Sequence, residues 1–285
     1  MTADLQLGIP LGSDGRDSRI SPLILTLFGL YARGERNWLS VASVVKLIGD
    51  LGYEVQAVRS SVSRLKRRSI LCSERLDGAA GYSLEESVLE TLAEGDVRIF
   101  ERKRAAVEDG WVVAVFSVPE TERDKRHALR TTLTNLGFGT VSPGVWVAPV
   151  QLAAEVRRIL ERRELSAYVD LFTGPYIAFG NLRSKVRGWW DLQELTQMYG
   201  EFLQRYQPVL DQVTARRPTP QEAFQVYVPM LTQWRRMPYR DPGLPLALLP
   251  PDWYGVSAET TFRELNSALS VPAGEYARAV IHGTK

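Results

Sequence analysis

The sequence is poor in the residues that build metal and redox sites. Cys72 is its only cysteine, and His127 and His282 are its only histidines. An internal disulfide and a multi-cysteine metal cluster are therefore excluded, and two histidines so far apart do not suggest a zinc site. No apolar run approaches the roughly 18 residues that span a bilayer. Met1 to Arg19 carries Asp4, Asp14 and Asp17 and no apolar core of signal-peptide length, so no membrane segment and a cytoplasmic location are expected. No P-loop, GxSxG or HExxH string occurs, and no other catalytic constellation stands out; neither an enzyme, a cofactor nor a metal is expected. Net charge is only +2 over 285 residues, so any surface for a polyanion must be local. Cys72 itself reads as a small filler of a strand, with a redox role as the lesser alternative.

What is present is ordinary in bulk and uneven in detail. Hydrophobic content of 45% and charged content of 24% are those of a globular protein, and the length suggests two or three domains. The unevenness lies in Glu54 to Arg68, EVQAVRSSVSRLKRR. As a helix, this segment puts Val55, Val58, Val62 and Leu65 on one stripe. At about 100° per residue, Gln56, Ser60, Ser63, Arg64 and Arg67 fall opposite, with Arg59 and Lys66 beside them. Such a face suits DNA: cations meet phosphate oxygens, and Arg or Gln can bond base edges bidentately in the major groove.

A charged amphipathic helix is by itself no more than a solvated face, so the neighbours decide. Ser40 to Leu51 carries Val41, Val44, Val45 and Ile48 at helical spacing and stops before Gly52. Earlier, Ser21 reads as the N-cap and Pro22 as the first residue of a helix bearing Ile24, Leu25, Leu27, Phe28 and Tyr31. Afterwards Ser69–Leu71 and Gly81–Leu84 read as strands joined by the turn Arg75–Ala80. Three helices and a hairpin in this order predict a winged helix-turn-helix. From Arg59 to Arg75 the cations are Arg59, Arg64, Lys66, Arg67, Arg68 and Arg75 against the single acid Glu74, the footprint of a polyanion site.

The expected organisation is α+β and multidomain. Residues 1–20 form a loose arm, 21–85 the winged helix-turn-helix, and 86–108 a polar connector, with a helix over 85–104 touching its surroundings through Leu89, Leu92 and Ile99. Residues 109–180 read as strand (111–118, buried on both faces), helix (121–136), hairpin (138–141 and 145–148 around Ser142-Pro143-Gly144), helix (152–163) and strand (167–172). That βαββαβ order is ferredoxin-like. Residues 181–285 are mostly α, with helices over 188–206, 223–234 and 258–269. A proline-rich stretch from Pro238 to Pro251 reads as an ordered, wrapped loop.

Three stretches, VRSSVSRLKRRSIL with GYSLEES, LGFGTVSPGVWVAP, and RRMPYRDPGLPLALLPPDWYG, resemble the PaaX family of bacterial transcriptional repressors. Their joint presence in this order covers the chain from about Ser21 onward. The resemblance implies a homodimer that binds a palindromic double-stranded operator, controls an aromatic catabolic operon and is released by an aryl-CoA thioester such as phenylacetyl-CoA. Arg59, Ser60, Ser63, Arg64, Arg67 and Arg68 match the family's recognition positions. For the effector, the tail motif offers Arg235, Arg236, Tyr239, Arg240, Asp241 and Trp253: arginines for phosphates, aromatics for an acyl or adenine group. Arg240-Asp241 before a proline also suits, and suits better, an ion pair that fixes an ordered loop.

Two other readings stand beside the repressor. The middle part is similar to small CRISPR-associated endoribonucleases, whose first strand ends in a metal-binding aspartate, but here Ser117 stands at that end and removes the carboxylate such a metal needs. The basic helix could instead serve a non-inducible architectural role or an acidic protein partner.

Overall fold

A computed structural model of the chain describes residues 19–177 and 179–283. The expected arm over 1–20 lies outside the described residues except for Arg19 and Ile20. Ile20 begins the first helix, α1 (Ile20–Leu27), because its side chain already belongs to the apolar stripe. Ser21 is therefore buried inside the helix instead of capping it, and Pro22 is tolerated in the first turn, where its missing N–H has no partner to lose. The stripe runs on through a wider π-type turn over Phe28–Ala32.

Next come β1 (Trp38–Ser40) and α2 (Val41–Gly49). Ser40 caps α2, its Oγ accepting from the Ser43 N–H at 3.0 Å. The chain then reverses at Gly52, whose φ of +88° only glycine adopts freely, and enters α3 (Val55–Arg67). Strands β2 (Leu71–Leu76) and β3 (Ala79–Leu84) form the expected hairpin, though they are longer than the sequence suggested. The turn shrinks to Asp77-Gly78, both at positive φ as a two-residue hairpin turn prefers. Ser69, expected in a strand, ends α3 in a left-handed conformation (φ +51°). β1 was not anticipated. It pairs antiparallel with β3 to give the order β1-β3-β2, and Gly81 allows this, since a Cβ there would lie 2.3 Å from the Trp38 ring.

Helix α4 (Glu86–Phe100) is shorter than expected and less of a bare connector. It buries Val88, Leu92 and Ile99 together with Arg98. Leu89, expected among its contacts, is only partly buried.

The middle of the chain folds as β4 (Trp111–Phe116), α5 (Arg123–Asn135), β5 (Gly139–Ser142), β6 (Val145–Pro149), α6 (Ala153–Arg162) and β7 (Val169–Gly174). The sheet is antiparallel with order β5-β6-β4-β7. One face packs Val112, Ala114, Phe116, Trp146 and Ala148 onto Leu129, Leu133, Val156 and Leu160. The other face is only partly covered: Trp111 lies against Trp189 and Trp190, while Val115 and Phe172 remain 38% and 58% exposed. The apolar run of β4 is thus not buried on both faces along its length.

The last part is helical: α7 (Leu182–Trp189), α8 (Leu192–Ala215), α9 (Pro220–Trp234), the short α10 (Met237–Arg240) and α11 (Gly255–His282). A single helix over 188–206 was expected. The chain instead breaks at Trp190, whose extended backbone lets its indole N–H donate to the Gly137 carbonyl at 2.8 Å. Asp191 then caps α8 by accepting from the Glu194 N–H at 2.9 Å. Thr219 and Glu222 form a capping box that starts α9 at Pro220. α11 runs far beyond the expected 258–269, with Pro272 inside it.

The molecule is α+β, with two small sheets and a helical C-terminal region. Its hydrophobic residues form two cores. One fills the space between sheet and helices in the middle part. The other is continuous from Ile20 to Ala277, joining α1, α2 and α3 to α8, α9 and α11.

Candidate nucleic-acid interface

In α3, Val58, Val62 and Leu65 are buried against the N-terminal core. Val55, placed on the same stripe by the sequence pattern, is 45% exposed because the first turn projects past the core. Ser61 takes the inner position instead, fully buried, and its Oγ accepts from Arg64 Nη2 at 2.7 Å. Gln56, Arg59, Ser63, Lys66 and Arg67 face solvent; Ser60, Arg64 and Arg68 are half-buried. Among the described residues, Arg59, Lys66, Arg67, Arg68 and Arg75 make no ion pair. Four of these, Arg59, Lys66, Arg67 and Arg75, are left to water along one helix and its neighbouring strand, and like charges there repel one another, a cost that a polyanion relieves.

The helix is held by more than its own core. Between α2 and α3, the Asp50 carbonyl accepts from Gln225 Nε2 at 2.8 Å and the Asp50 carboxylate accepts from Tyr276 Oη at 2.7 Å. Lys46 pairs with the same carboxylate. The turn that aims α3 is thereby fixed by α9 and α11.

Exposed Arg75 lies on β2, near the hairpin tip. Sequence reasoning missed a further cation here. Arg36 leads into β1 and its guanidinium stands 3.9 Å from Asp77 at the hairpin turn, both largely exposed. Asn37 fastens this edge, donating to the Leu84 carbonyl at 2.8 Å and accepting from the Leu84 N–H at 3.3 Å. The local signal was faint because a three-residue strand has too few positions to show alternation. Cys72 donates to the Glu85 carboxylate, and burial together with that carboxylate pushes its thiol up to about 11, which keeps it protonated.

The six tail residues do not converge on one ligand-sized site. Arg236 and Arg240 are exposed, Arg240 pairing with Glu194. Tyr239 is buried with the Arg98 guanidinium 4.5 Å from its ring centroid. Trp253 packs edge-on against Tyr199, centroids 5.6 Å apart. Asp241 is fully buried, and its ion pairs run to Arg102 at 2.5 Å and Arg104 at 3.3 Å, not to the adjacent Arg240. It also accepts from Tyr199 Oη at 2.9 Å and from the Gly243 N–H at 2.9 Å. Burial alone would raise its pKa, but the two guanidiniums hold the carboxyl well below the usual range. Asp241 thus fastens the extended segment after α4 to the proline-rich loop and α8. Arg235 is 7% exposed, donates one hydrogen bond to the Pro22 carbonyl at 3.2 Å, and has no carboxylate partner among the described residues.

At the end of β4, Ser117 is exposed and its N–H donates to the Tyr168 carbonyl. Among the described residues no group of three or more His, Cys, Asp or Glu side chains is placed to hold a metal ion, and no helix is long and apolar enough to cross a membrane.

Comparison with known proteins finds three family models along the chain in order. A PaaX-like protein model matches residues 19–88, the PaaX protein central Cas2-like domain matches 104–186, and the PaaX-like protein C-terminal domain matches 190–279. The transcriptional repressor PaaX of Escherichia coli (strain K12) is 27% identical over 243 residues, covering 83% of this chain and 76% of that protein. An uncharacterized protein from Mycobacterium tuberculosis shares the fold with a TM-score of 0.53 at 22% identity, over 88% of this chain and 96% of that one.

Proposed function

Because the chain belongs to the PaaX family, we propose that it is a transcriptional repressor, not an enzyme, that grips operator DNA through α3. The observation that carries this reading is the face of α3, where Arg59, Lys66 and Arg67 point to water while the other side of the helix is anchored to the core. In this reading α1, α2 and α3 with the three-stranded sheet act as a winged helix-turn-helix over residues 21–85. Gln56, Arg59, Ser60, Ser63, Arg64, Lys66, Arg67 and Arg68 enter or border the major groove, and Arg75 on the wing meets phosphate. Residues 86–108 connect this unit to a ferredoxin-like middle part over 109–180, for which the sheet order β5-β6-β4-β7 with two helices on one face speaks. Residues 181–285 form the helical part that backs the reading head through Asp50.

A palindromic operator read by a homodimer requires two such heads about 34 Å apart, or a multiple of that. Release by an aryl-CoA thioester such as phenylacetyl-CoA would act by changing their relative orientation. For the thioester's phosphates the tail offers Arg236 and Arg240, which are exposed; Tyr239, Asp241 and Trp253 are already committed to packing. The loss of the nuclease's aspartate at Ser117 sets the enzymatic alternative aside.

A band-shift titration against the chain's own upstream promoter fragment and against random DNA, at two salt concentrations, tests the reading. The expected result is preference for the promoter fragment, no cleavage, and a log–log salt slope of about −0.9 per neutralised phosphate. Equal affinity for random DNA would sink it.

A further inference from the structure

Arg235 poses a problem that the DNA-binding reading leaves unsolved. A guanidinium presents five N–H donors and is always charged at neutral pH, so burying it calls for a carboxylate or a full set of acceptors. Among the described residues Arg235 has one hydrogen bond, to the Pro22 carbonyl, and its buried Nε has no partner. Burial draws its pKa down to about 10, the direction expected where no anion compensates the charge.

This side chain lines a cleft between α1 with its π-type extension, α4 and α9, which holds about 30 Å³ of water-accessible space. Leu25, Leu30, Leu92 and Leu231 supply most of the wall, together with Phe100, which is 41% exposed. The acid in the lining, Asp96, is already held by Arg33 at 2.6 Å. The cleft therefore combines one buried cation that no acid among the described residues compensates with a mostly apolar wall, interrupted by Thr26 and the Arg33–Asp96 pair.

We infer that this cleft is a binding site for a small organic monocarboxylate. Its carboxylate takes the open guanidinium donors of Arg235, and its apolar body runs outward between Leu30, Leu92 and Phe100. The volume matches a headgroup, being room for about two waters, and excludes a nucleotide. An organic carboxylate fits better than an inorganic anion because apolar side chains make up most of the lining around Arg235. Its ligand bridges the first helix of the DNA-reading unit to α4 and α9. The site does not depend on DNA binding or on a CoA thioester, and it can be tested without either.

Calorimetric titration of the full-length protein with benzoate and hexanoate, with benzamide and sulfate as controls, tests it. The expected result is saturable binding of at least one carboxylate, none of benzamide or sulfate, and a loss of roughly ten- to a hundredfold in affinity in Arg235→Met. Gly29→Ala supplies a second variant that keeps the arginine. Its added methyl would lie 3.7 Å from Leu92 Cδ1, an ordinary contact, so the protein folds while the cleft narrows and carboxylate binding weakens. Failure of both carboxylates to bind, equal binding of benzamide, or undiminished binding in whichever variants fold would overturn the proposal.

Discussion

Two arginine-rich stretches, residues 59–75 and 98–104 with 235–241, have similar composition and opposite fates. In the first, Arg59, Arg67 and Arg75 stand in water without ion pairs among the described residues. In the second, Arg98, Arg102, Arg104 and Arg235 are largely buried, and all but Arg235 reach a carboxylate. A buried cation is costly unless paired, so it serves as a fastener; an exposed one costs little and remains available to a partner. The difference teaches that a count of arginines locates a binding surface only after burial is known.

The largest effect should come from breaking the buried set. Asp241→Asn leaves Arg102 and Arg104 without their shared anion, and a loss of about 3–5 kcal/mol in urea-unfolding stability is expected. The pH dependence sharpens this prediction. The folded pKa of Asp241 lies below its unfolded value of about 3.9, so its stabilisation is complete above that pH and fades as pH falls toward the folded value. The stability gap between wild type and variant should accordingly narrow below about pH 4; a gap that stays constant there would show that Asp241 is not the ionised partner.

A smaller and opposite effect is expected on the exposed set. Arg59→Ala and Arg67→Ala should each weaken operator binding by about 1–3 kcal/mol where they read bases, with unfolding stability changed by no more than about 0.5 kcal/mol. A stability loss as large as that of Asp241→Asn would erase the contrast between the two stretches. The smallest effect belongs to Arg240, which sits in the tail but is exposed and paired with Glu194. Arg240→Ala should cost about 0–1 kcal/mol of stability, and a larger cost would move it into the fastening set.

Much of the fold was legible in the sequence. The periodicity of α3, the glycine stop at Gly52, the Asp77-Gly78 turn and the strand–helix–hairpin–helix–strand order of the middle part all depend on neighbours a few residues apart. What was misread depends on distant neighbours. Val55 fits the stripe but overhangs the core; one amphipathic run from 188 to 206 splits at Trp190 because its indole finds a carbonyl at Gly137, 53 positions away. The candidate site divides in the same way. The α3 cations were visible as a local charge imbalance, whereas Arg36 became a neighbour of the hairpin turn only through β1, too short to leave a pattern.

The sequence by itself determined that a basic amphipathic helix sits between a helix and a hairpin, since helical phase and turn chemistry are local. Only the tertiary structure decided which arginines stay in water. Arg104 meets Asp241 across 137 positions, and the pairing of a charge with an acid so far along the chain follows from how the cores pack, not from any spacing written in the sequence.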